Sequence, residues 1–94
     1  MHAKRSDDNQ KTFALAIRTA GYEWHDYHMC GNGVPDGMIC RAGRCEWVEV
    51  KASAKSALTH LESLFFSLCP GGRPILAWDP QQAIDEFERR GHGL

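Results

Sequence analysis

The chain has 94 residues, a formal net charge of −1, 43% hydrophobic residues and 24% charged residues. This length supports one folded domain over residues 1–94, of which residues 1–6 are expected to be flexible. No apolar run approaches the roughly 20 residues of a membrane span, and the charged N-terminus lacks the hydrophobic segment of a secretory signal. We therefore expect a cytoplasmic protein with no membrane partner. The near-zero charge gives no global basic field for nucleic acid.

The first half of the chain predicts one helix and three strands. Residues 8–20 predict a helix, which a preceding aspartate can cap and Gly21 can end. Residues 22–28 are rich in aromatic side chains that alternate with polar ones, which is typical of a strand. Residues 36–41 and 44–51 predict two further strands that form a hairpin.

The second half predicts a helix, a strand and a final helix. Thr59 and Glu62 match a capping box at the start of a helix. The apolar residues that follow have amphipathic spacing: Leu61, Leu64, Phe65 and Leu68. Residues 74–78 predict a short strand, and Asp79-Pro80 is typical of a helix start.

The resulting order αβββαβα predicts an α/β fold with a mixed sheet flanked by helices. The connection between the third and fourth strands contains a helix. Such a crossover favours parallel pairing of these two strands.

The register of the hairpin decides which side chains meet. A two-residue turn at Ala42-Gly43 pairs Arg41 with Arg44 and, further out, Asp36 with Glu49. Opposed side chains have Cβ atoms roughly 5 Å apart. Lys51 follows Glu49 by two residues and therefore returns to the same face. A three-residue loop with a glycine bulge is the alternative, and a one-residue slip would separate the two acids.

Two carboxylates and an ammonium group at one point indicate phosphodiester chemistry. Paired acids can hold a divalent cation such as Mg²⁺, and an adjacent cation can complete a site that cuts phosphodiesters. The candidate catalytic residues are Asp36, Glu49 and Lys51.

These residues resemble the signature of a known family. The segment Gly33-Val34-Pro35-Asp36, followed by Glu49-Val50-Lys51, resembles the PD-(D/E)xK nuclease superfamily, whose core has this order of elements. The chain looks most like small VRR-NUC-type domains and the Holliday-junction-resolvase-like proteins often carried by phages. The similarity runs from about residue 8 to residue 87.

The resemblance implies a role for each matching position. Asp36 and Glu49 would ligate Mg²⁺ or Mn²⁺ together with the backbone carbonyl of Val50, and Lys51 would orient the attacking water. Where relatives often place a glutamate on the first helix, this chain has Gln10, a possible accessory ligand without charge.

The implied protein is a metal-dependent endonuclease with a restriction-endonuclease-like core. It would be structure-selective for branched DNA, such as a Holliday junction, and would act as a homodimer. Lys11 and Lys55 are candidate contacts to DNA phosphate.

Two other functions remain open. A nuclease-fold module could bind nucleic acid without cutting it, because Gln10 supplies no charge. A zinc-stabilised interaction domain could use the nearby imidazoles and thiols of His25, His28, Cys30, Cys40 and Cys45, although no Cys-x2-Cys pair occurs. We expect free, packed thiols instead, even though Cys40 and Cys45 would be cross-strand neighbours. We also expect Trp47 and Trp78 to lie in the core rather than to stack on bases.

Overall fold

The computed structural model describes residues 7–52, 57–68 and 73–92. Its elements are α1 (Asp7–Thr19), β1 (Glu23–Asp26), β2 (Gly37–Arg41), β3 (Arg44–Val50), α2 (His60–Leu68), β4 (Ile75–Ala77) and α3 (Pro80–Gly91). The predicted order αβββαβα is therefore confirmed. In these three ranges no helix combines the length and the apolar character needed to cross a membrane.

The four strands form one sheet in the order β1-β2-β3-β4. β1 pairs with β2 and β2 with β3 in antiparallel fashion, whereas β3 and β4 are parallel. The parallel pair confirms the prediction made from the helix-containing crossover. β4 is a short edge strand.

The β2–β3 hairpin has the predicted two-residue turn. Ala42 and Gly43 both have positive φ, 54° and 83°, as a type I′ hairpin turn requires. Arg41 pairs with Arg44, Met38 with Trp47, and Gly37 with Val48. The glycine-bulge alternative is therefore excluded, and the register that places Asp36 opposite Glu49 is the one adopted.

One face of the sheet carries the hydrophobic core. Side chains of β3 point alternately to the two faces of the sheet, and Val48 points to the core face. It is fully buried in a cluster that includes residues of α1 and α3. The helices contribute Phe13 and Ile17 from α1 and Phe87 from α3. Asp79 and Gln82 form a capping box at the start of α3, and Pro80 occupies its first turn, as predicted.

α2 lies on the other face of the sheet and buries little of its own surface there. Trp47 points to this face, and its ring packs on Phe65 with centroids 5.5 Å apart. No residue of α2 is buried. The apolar stripe that predicted this helix remains exposed in the described chain, with exposures of 48% for Leu61, 46% for Leu64 and 72% for Leu68.

Two expectations are wrong. Cys40 and Cys45 are joined in a disulfide rather than free, with Cα atoms 4.1 Å apart as expected for directly opposed cross-strand residues. Trp78 does not lie in the core, since 47% of its surface is exposed. Trp47 is half-buried between Tyr27 and Phe65.

Gly33→Ala is expected to destabilise the protein more than Gly31→Ala. Both glycines have positive φ, 84° and 69°, so alanine costs about 1 kcal/mol at either position. A Cβ at Gly33 would also overlap the backbone carbonyl of Leu61 in α2, whereas nothing lies within 4 Å of one at Gly31. We expect a further loss of about 1–3 kcal/mol for Gly33→Ala alone.

Urea unfolding monitored by circular dichroism measures both variants. Equal losses of stability would show that α2 does not press on the loop at Gly33.

Candidate active site

Asp36 immediately precedes β2 and is hydrogen-bonded to residues at the ends of β1 and β3. Its backbone carbonyl accepts a hydrogen bond from the N–H of Tyr27, 2.7 Å away, at the end of β1. Its side-chain Oδ2 accepts one from the N–H of Val50 in β3, also at 2.7 Å. The carboxylate thus continues the ladder beyond the last paired residues of β2. Asp36 is only 7% exposed.

Glu49 and Lys51 lie on the same face of β3 and its extension. Glu49 is 3% exposed, and its Oε2 lies 3.6 Å from Nζ of Lys51. The backbone N–H of Lys51 donates to the carbonyl of Ala77 at 2.8 Å, which extends the pairing of β3 with β4. The predicted proximity of this acid and this lysine is confirmed.

Glu62 is a third carboxylate at the site, and its sequence pattern predicted only a role in capping α2. Its Oε1 lies 2.6 Å from Nζ of Lys51, closer than Glu49. The same oxygen accepts the backbone N–H of Thr59, and Thr59 Oγ1 accepts the N–H of Glu62. The capping box is therefore confirmed, and it also holds the carboxylate in place against the lysine. No local pattern could have shown this second role, because Lys51 and Glu62 meet only after α2 packs on the sheet.

The electrostatics of the cluster are set by burial. Burial raises the pKa of Glu49 to about 9, and the charge of Asp36 and a hydrogen bond to Glu62 add to the effect, while Lys51 opposes it. Burial also raises the pKa of Glu62, but hydrogen bonds from Lys51, Thr59 and Glu49 more than offset it, so that this pKa lies below its usual value. At neutral pH Glu49 therefore holds a proton and donates it towards the Glu62 carboxylate.

The other predicted site residues have different positions. Gln10 is buried on α1 at 4% exposure, and Lys11 beside it is exposed. Val50 is buried at the end of β3, and its N–H is bound to Asp36. Lys55 lies outside the described residues. The ligand role of the Val50 carbonyl, the accessory role of Gln10 and the DNA contacts of the two lysines stay predictions.

Four of the five residues of the zinc alternative have other partners, whereas Cys30 is a free, exposed thiol. His25 lies 3.1 Å from Glu23, and His28 pairs with Asp26. Cys40 and Cys45 are consumed by the disulfide, which leaves neither thiol free to ligate zinc.

The donor set around Glu49 suits a hard divalent cation. In the described part of the chain, no three His, Cys, Asp or Glu side chains are already grouped as ligands of one metal ion. Two buried carboxyls, Asp36 and Glu49, nevertheless share one region with an ammonium group. Burial first, and then the charge of Asp36, raises the pKa of Glu49, and a cation bound by carboxylate oxygens would favour the ionised form of this carboxyl.

Glu49→Gln is expected to stabilise the metal-free protein at pH 8. The carboxyl of Glu49 ionises near its usual pKa of 4.5 in the unfolded chain and near 9 in the folded chain. Between pH 4.5 and pH 9 the folded chain therefore holds one proton more than the unfolded chain. The stability that this group contributes is therefore fully present below pH 4.5 and is lost as pH rises through 9. Glutamine cannot ionise, and we expect a gain of about 1 kcal/mol or more at pH 8 that vanishes near pH 4.5.

Urea unfolding in EDTA at the two pH values measures this difference. Glu23→Gln, at an exposed acid on β1, is the control and should change stability little at either pH. A Glu49→Gln variant that is less stable than the native protein at pH 8 would contradict the unfavourable burial of this carboxyl.

Comparison of the chain with protein-family models, curated proteins and solved structures found no match in any of the three. The function therefore has to be inferred from the site itself.

Proposed function

We propose that this protein is a metal-dependent endonuclease that hydrolyses DNA phosphodiester bonds. The observation that carries the proposal is the convergence of Asp36, Glu49 and Lys51 at the end of the hairpin, with both acids buried. Burial of a carboxyl group costs free energy of folding, so a cluster of buried acids indicates a functional site rather than a contribution to stability.

The fold supports the same proposal. The order αβββαβα and an acid before β2 are what the resemblance to PD-(D/E)xK nucleases implies. The second acid and the lysine lie at the end of β3, as that signature requires. A restriction-endonuclease-like core is accordingly part of the proposal.

Asp36, Glu49 and the backbone carbonyl of Val50 would hold Mg²⁺, or Mn²⁺ in its place. The cation, when bound, stabilises negative charge on the phosphate and makes water easier to deprotonate. Glu49 must give up its proton to act as a ligand, which links metal binding to pH. Gln10, buried on α1, would support the site through hydrogen bonding without adding charge.

Lys51 would orient the attacking water and offset the charge that develops on phosphorus. Hydrolysis forms a bond from the water oxygen to phosphorus, breaks the bond to one sugar oxygen, and returns a proton to that oxygen. Glu62 acts through Lys51 as a positioning residue, because it holds Nζ at 2.6 Å. The lysine is only 11% exposed, so its ammonium group has few alternative orientations.

Branched DNA is the proposed substrate class, and a homodimer is the proposed active form. A domain of this size has little material for a separate sequence-reading part. Cutting two strands of a junction requires two active sites, which a two-fold homodimer supplies most simply. Lys11, exposed on α1, is a candidate contact to DNA phosphate.

Incubation with duplex, flap, splayed and four-way DNA in Mg²⁺ or Mn²⁺ is expected to yield cleavage of the branched substrates. Asp36→Asn and Lys51→Met should lower the rate by at least about 100-fold, because each removes a charge that acts in the transition state. Product mapping on the four-way junction should show paired cuts on opposite strands if the homodimer acts.

Asp85→Asn, at an exposed acid of α3, is the matched control and should cleave like the native protein. DNA binding without cleavage in either metal would instead identify a nuclease-fold binding module. Stoichiometric zinc, with thermal collapse on chelation, would favour the interaction domain.

Glu62→Gln is expected to lower kcat about 10-fold while leaving KM nearly unchanged. Glutamine can still fill its place in the capping box but cannot attract the ammonium group of Lys51 with a full charge. Glu62→Ala removes the cap as well and should also cost about 1 kcal/mol of stability.

Steady-state kinetics on the best branched substrate, together with thermal melts, separates these effects. If Glu62→Gln retains full kcat, Glu62 has a structural role only.

A further inference from the structure

A second feature lies next to the acidic cluster, on the other side of Lys51. A cavity of about 300 Å³ opens between the first half of α1 and the carboxyl ends of β3 and β4. We call it the Trp78 cavity; its lining residues include Asn9, Thr12, Phe13, Val50, Lys51, Trp78 and the acidic Asp79. The carboxyl ends of parallel strands are common positions for ligands.

The walls of the Trp78 cavity combine apolar and polar surfaces. Phe13 and Val50 are buried and supply apolar surface. Asn9 and Thr12, one helical turn apart on α1, bring an amide and a hydroxyl to the same cavity. Lys51 lines the cavity and also pairs with Glu49, so the cavity adjoins the acidic cluster.

Trp78 presents a large exposed ring on a fixed backbone. The backbone N–H of Trp78 donates a hydrogen bond to Oε1 of Gln82 at 2.8 Å, and the preceding Ala77 is buried in the sheet. Trp78 is nevertheless 47% exposed. An exposed aromatic ring on a well-held backbone is the surface on which nucleic acid bases stack.

The size and chemistry of the cavity select among ligands. About 300 Å³ is at the lower end of the range for ligand cavities, which suits one base with its sugar rather than a stacked duplex step. A simple phosphate site would not need the apolar walls. The larger cavity at the outer edge of β4, about 510 Å³, also borders Trp78, but Lys51 does not line it.

We propose that the Trp78 cavity receives the base of an unpaired nucleotide adjacent to the scissile phosphate. Trp78 stacks on the base, Asn9 and Thr12 face its polar edge, and Lys51 lies between the base and the acidic cluster. This inference rests on the proposed nuclease function and narrows its substrate to DNA with an unpaired nucleotide beside the cut. A base that is paired within a duplex would first have to leave the stack.

The test measures binding in EDTA and in Ca²⁺, so that it does not depend on cleavage. The probes are a short fluorescein-labelled oligothymidylate and the same strand with abasic sites at its internal positions, titrated in fluorescence polarisation. The native protein should bind the strand with bases about 10-fold more tightly, as expected for one stacked base. Trp78→Ala should abolish this preference, and Trp78→Phe should retain most of it.

Leu76→Ala is the matched control, because Leu76 is an exposed apolar residue of β4 that lines the larger cavity and not the Trp78 cavity. It should keep the full preference. Circular dichroism confirms folding of each variant.

Each outcome either supports or contradicts the proposal. A base preference that survives Trp78→Ala, or is absent from the native protein, overturns it, even if branched DNA is cleaved. A preference that depends on Trp78 in a protein that never cleaves DNA supports the cavity assignment and refutes only the nuclease. Tighter binding of thymidine monophosphate than of the oligothymidylate would assign the cavity to a free nucleotide and also overturn the proposal.

Discussion

The N–H of Val50 donates to the carboxylate of Asp36 across the β2–β3 hairpin, 2.7 Å apart, and the candidate site depends on this hydrogen bond. It fixes one acid at the point where β2 begins and β3 ends. The turn at Ala42-Gly43 sets the register that makes it possible, since one residue of slip would turn the second acid to the other face. The pairing of β2 with β3 therefore positions the two acids.

The cluster is unfavourable by itself in the absence of a bound cation. Asp36 and Glu49 are both buried, and Lys51 is shared between two carboxylates rather than dedicated to one. The consequence is a Glu49 carboxyl that keeps its proton far above its usual pKa. A protein selected for stability alone would replace such a group with an apolar one. A site that binds a divalent cation has a reason to keep it.

α2 contributes to the site although it contributes little to the core. None of its residues is buried, and its main attachments to the sheet are the ion pair of Glu62 with Lys51 and the packing of Phe65 on Trp47. The loop that carries Asp36 also touches it, through the close approach of Gly33 to the Leu61 carbonyl. Three contacts thus join α2 to the hairpin and to the loop before β2, and a change in any of them should affect the position of Lys51.

Local sequence patterns are enough to predict the order of the elements, the hairpin register and the common face of the two acids and Lys51. These follow from local rules, namely period-2 alternation, the two-residue turn, and caps such as Asp79-Pro80. The positions of Glu62 beside Lys51 and of Trp78 beside a cavity depend instead on tertiary packing. Glu62 has a complete local explanation as a cap, and only the packing of α2 brings it to Lys51. The apolar segment around Trp78 predicted burial, but Trp78 follows the edge strand β4 and lies beside a cavity instead of under a neighbouring strand.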